Sequence, residues 1–165
     1  MIAAAPVRPP EVQKMRSMAI LCILLGPLLA LTAISSFLVK RVMDWADRHG
    51  VPSPMGELSA VLIDFSVKTA WVLVPLGALI TVAGIRGTRE PRQGRRWLAF
   101  AAWLTTGTMV LLSMIWSWSL HGTRWDTLDG HLLGWGSHLA NGVLTLVAAR
   151  FLSSEALRRA CEASA

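Results

Sequence analysis

Two side chains of this 165-residue chain stand where charge is expensive: Asp64 and Lys68, both inside an apolar run. Four residues apart, they share a helix face and pair acid before base. An ionisable group in hydrocarbon marks an ion or proton pathway, or a polar anchor for a partner helix, unless a neighbour satisfies it. Asp64 is only six residues past Leu58, where the run begins, which favours a self-satisfied pair near the boundary with Lys68 snorkelling. His131 and His138 are seven apart and return to nearly the same helix face, two turns taking ~7.2 residues. Haem would need facing histidines on different helices, and no other apolar run holds one. His121, Asp126, Asp129 and His131 cluster in one stretch but match no metal-ligand spacing. No cofactor and no metal is expected. No Ser/His/Asp or Cys/His spacing points to nucleophilic catalysis, and no Gly-rich phosphate loop follows a strand, so no enzymatic activity is expected. Cys22 in an apolar run and Cys161 in a polar tail are not expected to form a disulfide.

The third cluster is basic. Arg86, Arg89, Arg92, Arg95 and Arg96 fall in a segment that reads as a loop of about ten residues. Such a loop suits DNA phosphates or anionic lipid headgroups equally. It contains no aromatic base-stacking platform, so DNA contact would be weak and unspecific. The preference of membrane proteins for Lys and Arg on the cytoplasmic side explains the cluster by itself.

These residues are positioned by an unusual composition: 53% hydrophobic and 16% charged, against roughly 25% charged in ordinary soluble domains. The apolar residues fall in four blocks, at about 18–39, 58–85, 97–120 and 132–152. A bilayer-spanning helix needs ~20 such residues, and the short alternating segments of a barrel are absent. The expected class is all-α: a multi-pass cell-membrane protein of four transmembrane helices over 18–152, with tails at 1–17 and 153–165. The first block is too long for the core of a signal peptide and no small-residue cleavage site follows it, so a retained anchor is expected. The N-terminal tail, the arginine segment and the C-terminal end from Arg150 onward carry eleven basic residues, against four (Lys40, Arg41, Arg48 and Arg124) on the other side, which predicts both termini in the cytoplasm. Trp97 opens the third block, Trp116 and Trp118 close it, and Trp45, Trp125 and Trp135 sit near the outer face, at the headgroup depth tryptophan prefers. Lys40 to Glu57 reads as a helical extension of the first block, broken by Gly50, Pro52 and Pro54. Gly26, Gly77, Gly84, Gly134, Gly136 and Gly142 suit close helix packing inside the chain or a homo-oligomer, and sequence does not separate the two.

Between Leu31 and Leu76, three short motifs follow one another: Ser36-Phe37-Leu38 ending the first block, Gly50-Val51-Pro52 after the amphipathic Asp44-Trp45-Ala46-Asp47, and Ile63-Asp64 early in the second block. This order resembles the actinobacterial four-helix membrane proteins that include the plasmid spread (Spd) proteins of mycelial bacteria. The resemblance covers the first half by motif and the second half by topology. Phe65 stands where a glycine is usual in that pattern, and the third block lacks the usual asparagine. The resemblance implies a non-enzymatic accessory of conjugative plasmid transfer that promotes intramycelial plasmid spread alongside a DNA translocase. In that role Asp64 is a polar anchor and the arginine segment a cytoplasmic contact. The residues alone show a small tetraspan with a basic face. That also suits a phage-type holin or pore former, a redox or transport subunit using His131, His138 and Asp64, or a scaffold subunit of another membrane complex.

Overall fold

The computed structural model describes residues 9–50 and 57–163. Five helices and no strand occur among them: α1 Pro10–Arg48, α2 Glu57–Arg89, α3 Pro91–Leu120, α4 Leu128–Ser153 and α5 Glu155–Ala163. The first four are long and apolar enough to cross a membrane. Each end has a local cause. Pro10 takes the first position of α1, where its missing N–H costs nothing. The chain leaves α1 through Gly50 at φ 65°, as the Gly-Pro break predicts, while Pro52 and Pro54 lie outside the described residues. Thr127 caps α4, its hydroxyl accepting from Gly130 N at 3.4 Å.

The surface is apolar and the interior is small. In the most apolar 18-residue stretch of α1 only 17% of residues are buried, and in that of α4 only 11%. Leu21, Leu24, Leu28 and Leu31 of α1 and Leu139, Val143 and Val147 of α4 all face outward. Water would not tolerate an apolar surface of that extent, whereas lipid tails cover it without cost. Inward-facing positions instead repeat every seven residues. They are Val12, Ala19, Gly26 and Ala33 on α1, and Ala70, Gly77 and Gly84 on α2. On α3 they alternate by four and three, through Gly94, Leu98, Ala101, Thr105, Thr108 and Leu112. That period keeps a straight seam only if neighbouring helices coil left-handed about each other. Where α1 meets α2, Gly26 and Gly77 bring the two backbones together: a Cβ on Gly26 would lie 2.5 Å from the Gly77 carbonyl oxygen.

The helices pack in chain order, α1 on α2, α2 on α3 and α3 on α4, and α4 has no appreciable packing against α1. The start of α1, the α2–α3 corner, the end of α4 and α5 gather at one end, called basal here. Their shared core is Val12, Met15, Ala83, Leu98, Leu152, Leu157 and Cys161. The opposite, apical end is built on Val61, Trp116 and Leu120.

Three sequence-based boundaries are corrected. Arg86 to Arg96 is not a ten-residue loop: α2 runs through Arg89, α3 starts at Pro91, and Glu90 alone joins them at φ −126°, ψ 96°. The helical conformation is disfavoured for a residue before proline, so Glu90 is where the chain turns. Residues 153–165 are not simply a tail. Ser154 Oγ accepts from Leu157 N at 3.3 Å, opening α5, and Leu157 and Cys161 bury one of its faces. Finally, α1 begins at Pro10, inside the segment expected to be an N-terminal tail.

Candidate functional site

Asp64 and Lys68 pair at 2.7 Å and are both partly exposed, with Lys68 Nζ 5.0 Å from the centre of the Trp118 ring. Gly77 packs beside Gly26 and Ala30, so antiparallel pairing sets Asp64, thirteen residues earlier, level with about Lys40 and Arg41. The pair therefore lies at the apical edge of the apolar slab, satisfied within one helix and by a tryptophan face. Among the described residues, neither carboxylate nor ammonium reaches a second polar group of another helix that would begin a relay.

At the same end, Asp126 and His131, clustered in the sequence, are joined across the α3–α4 turn by Ser117, which the sequence did not single out. Asp126 Oδ1 meets His131 Nε2 at 3.0 Å, and His131 Nδ1 meets Ser117 Oγ at 3.2 Å. Asp126 Oδ2 accepts from Gly122 N and pairs with His121 Nδ1, both at 3.2 Å, and Trp135 Nε1 donates to Ser117 Oγ at 2.9 Å. The connectivity is that of a nucleophile, a base and its orienting carboxylate. An ionised Asp126 fixes the His131 proton on Nε2, leaving Nδ1 free to accept from Ser117. Ser117 Oγ is otherwise committed, taking the Trp135 N–H and reaching the Ser113 carbonyl at 3.3 Å. The one Ser117 proton is shared between His131 Nδ1 and the Ser113 carbonyl, and these bonds together tie the end of α3 to the start of α4.

The Gly122 N–H, followed by the His131 ring, holds the Asp126 carboxyl below its ordinary value of 3.8. A carboxyl depressed on folding stabilises the turn fully above its ordinary value and ceases to do so as pH falls through its lower folded value. The expected result is a wild-type turn that stays closed to below pH 3.8 and opens in acid. Asp126→Asn should remove that acid step. Side-chain carboxyl NMR against pH checks both, and an acid step unchanged in Asp126→Asn would refute the assignment.

The basal end carries the arginines. Arg95 Nη1 donates to the Leu152 carbonyl at 3.0 Å, satisfying an orphan acceptor at the end of α4. The Arg86 guanidinium stacks 4.9 Å from the centre of the Trp97 ring. Arg92, Arg95, Arg96 and Arg158, with Gln93, Cys161 and Glu162, line a cavity of about 300 Å³. Arg86, Arg89, Glu90 and Gln93 border a second, of about 390 Å³. Four guanidiniums facing one carboxylate around a cavity form an anion-attracting site, and α5 supplies one of the four. Pairing of Arg158 and Arg159 with Glu155, at 3.1 and 3.0 Å, holds α5's own charges in place.

Cys161 lies against Met15, Sγ to Sδ at 3.9 Å, and burial pushes its thiol up from the usual value. Both cysteines are free thiols. No group of three or more His, Cys, Asp or Glu among the described residues is placed to hold a metal ion. Most of the glycines singled out in the sequence are used inside the chain: Gly26, Gly77 and Gly84 between α1 and α2, and Gly134 beneath the Trp116 ring. Comparison of the chain with family models, with curated proteins and with solved structures gave no match.

Proposed function

We propose that the chain is a non-enzymatic, multi-pass protein of the cell membrane whose basal, cytoplasmic end binds a polyphosphate backbone. In its cellular role it would be an accessory of conjugative plasmid transfer that promotes intramycelial spread with a DNA translocase. The observation that carries the polyanion reading is the cavity ringed by Arg92, Arg95, Arg96 and Arg158 at a corner one residue long. Orientation follows from charge. Among the described residues, the basic side chains of the start of α1, the α2–α3 corner, the end of α4 and α5 belong to the basal side, which cytoplasmic retention of Lys and Arg would hold inside. The transfer role rests on the motif order Ser36-Phe37-Leu38, Gly50-Val51-Pro52 and Ile63-Asp64, of which residues 51 and 52 lie outside the described part.

Binding driven by phosphate contacts releases counterions, so its logarithm falls linearly with the logarithm of salt. Protein in uncharged nanodiscs should bind a fluorescent DNA duplex of arbitrary sequence. Arg92→Gln with Arg96→Gln should weaken binding uniformly across sequences and reduce the salt slope by about 2. Binding that is independent of salt, or untouched by the double substitution, would sink the polyanion reading. Deletion of the gene should shrink the zone of plasmid spread in mating while leaving primary transfer intact; unchanged spread would remove the transfer role alone. An abrupt collapse of membrane potential on controlled expression would favour a holin instead.

A further inference from the structure

Asn141 is a side chain that a single copy leaves unsatisfied. Among the described residues Arg16 Nε, Ser119 Oγ, Trp125 Nε1 and His138 Nδ1 also lack a hydrogen-bond partner but are buried, whereas Asn141 faces outward. It stands in the middle of α4, twelve residues from Asp129 and nine from Arg150, with no charge between. At ~1.5 Å per residue it is more than about 13 Å from either charge, within the hydrocarbon of any bilayer that α4 crosses. The side chain is exposed and forms no hydrogen bond with the described residues; its backbone carbonyl accepts from Thr145 Oγ1 at 3.0 Å. The hydroxyls at comparable depth are handled otherwise. Thr105, Thr106, Thr108 and Ser113 each donate to the carbonyl one turn back, and Thr106 and Thr145 also meet across α3–α4 at 3.0 Å. A carboxamide is not satisfied so cheaply, since a bond to its own helix would occupy one N–H and leave the other N–H and the oxygen. Lipid tails offer neither donor nor acceptor.

The helix that carries Asn141 also has the most free surface. It packs along α3 and touches α5 near its end. Ser137, Asn141, Leu144 and Ala148 follow one another at spacings of four, three and four, which is the seam of a left-handed helix pair. Ser137, Asn141 and Leu144 are exposed on it.

We propose that the chain forms a parallel homodimer through α4, with Asn141 of each copy hydrogen-bonded to Asn141 of the other across a two-fold axis along the membrane normal. Three points favour a second copy as the occupant. A carboxamide is its own complement, carrying donor and acceptor together. A two-fold axis along the normal places identical residues at identical depth. Along the seam, Ser137 and Ala148 are small enough to let two backbones approach, and Leu144 fills the space between them. The dimer is independent of the polyanion reading, since it uses neither the basal arginines nor α5.

Cross-linking in phosphatidylcholine and phosphatidylglycerol vesicles tests it, in a Cys22→Ala, Cys161→Ala background. Leu144→Cys and Ser137→Cys should give covalent dimers on oxidation, and Val143→Cys, on the far side of α4, should not. Asn141→Leu should raise the dimer dissociation constant about 3- to 30-fold, the range expected for one polar contact between membrane helices. Asn141→Gln should retain part of the affinity. The Asn141 side chain is exposed, so Asn141→Leu should keep the helical circular dichroism and Trp emission of the parent. Monomers at every protein-to-lipid ratio, cross-linking favoured at Val143, or a dissociation constant unmoved by Asn141→Leu would each overturn the proposal.

Discussion

Trp116→Ala is expected to destabilise the fold by about 3–5 kcal/mol, the range found for deleting a large buried aromatic. Trp116 is 2% exposed and closes the apical end from three sides. Gly134 lies directly against its ring, Phe65 meets it edge-on with ring centres 5.3 Å apart, and its Nε1 donates to the Gly130 carbonyl at 2.9 Å. The loss is one of packing rather than of hydrophobic transfer, since lipid is as apolar as the cavity that would remain. The Gly130 carbonyl sits in the first turn of α4, so the indole N–H adds a second bond to an acceptor that the helix itself also uses. Trp116→Phe isolates that hydrogen bond from the ring packing and should cost about 1 kcal/mol plus the smaller volume change. Unfolding in mixed micelles, followed by circular dichroism, measures both. Equal losses for the two substitutions would mean that the N–H, and not the ring, holds this end.

Gly26→Val should be comparably severe, about 3 kcal/mol or more, because the obstruction is backbone. A Cβ on Gly26 meets the Thr81 hydroxyl, the Gly77 carbonyl oxygen at 2.5 Å and the Thr81 nitrogen at 2.9 Å. A side chain could rotate away, but a helix backbone cannot, so α1 and α2 must separate along the seam that Ala19, Gly26 and Ala33 form. Helix content should survive while the midpoint of unfolding falls. Gly107→Val, at a position with nothing within 4 Å of a built Cβ, is the matched control and should change little. A Gly26 variant indistinguishable from that control would show that the α1–α2 seam does not depend on close approach.

The four long helices were legible because uncharged runs of about twenty residues admit few alternatives. Their ends were not, because polar first and last turns look like loop: α1 gains Pro10 to Ser17, and α2 and α3 absorb all but Glu90 of the supposed arginine loop. Pro91 held the missing clue, since it both opens a helix and bars helical geometry in the residue before it. The nine residues of α5 escaped because charged Glu155, Arg158, Arg159 and Glu162 mask the spacing of Leu157, Ala160 and Cys161. Ser154, a capping residue three positions before Leu157, was readable in principle. The contact between Asp64 and Lys68, at 2.7 Å, follows from helix geometry alone at a spacing of four. By contrast, Ser117, Asp126 and His131 are joined by a turn rather than by a period, so only the fold brings them together.

The single-residue corner at Glu90 bears on how such a chain enters a membrane. Between α1 and α2 lie eight residues, between α3 and α4 seven, but between α2 and α3 only one. With no slack there, α2 and α3 are coupled at the corner, and five arginines flank it. During synthesis, α2 and α3 would therefore be threaded as one hairpin, with α1 leading and α4 laid down last against α3. The order of assembly in time would then repeat the order of packing in space, leaving α4 the last helix to find neighbours.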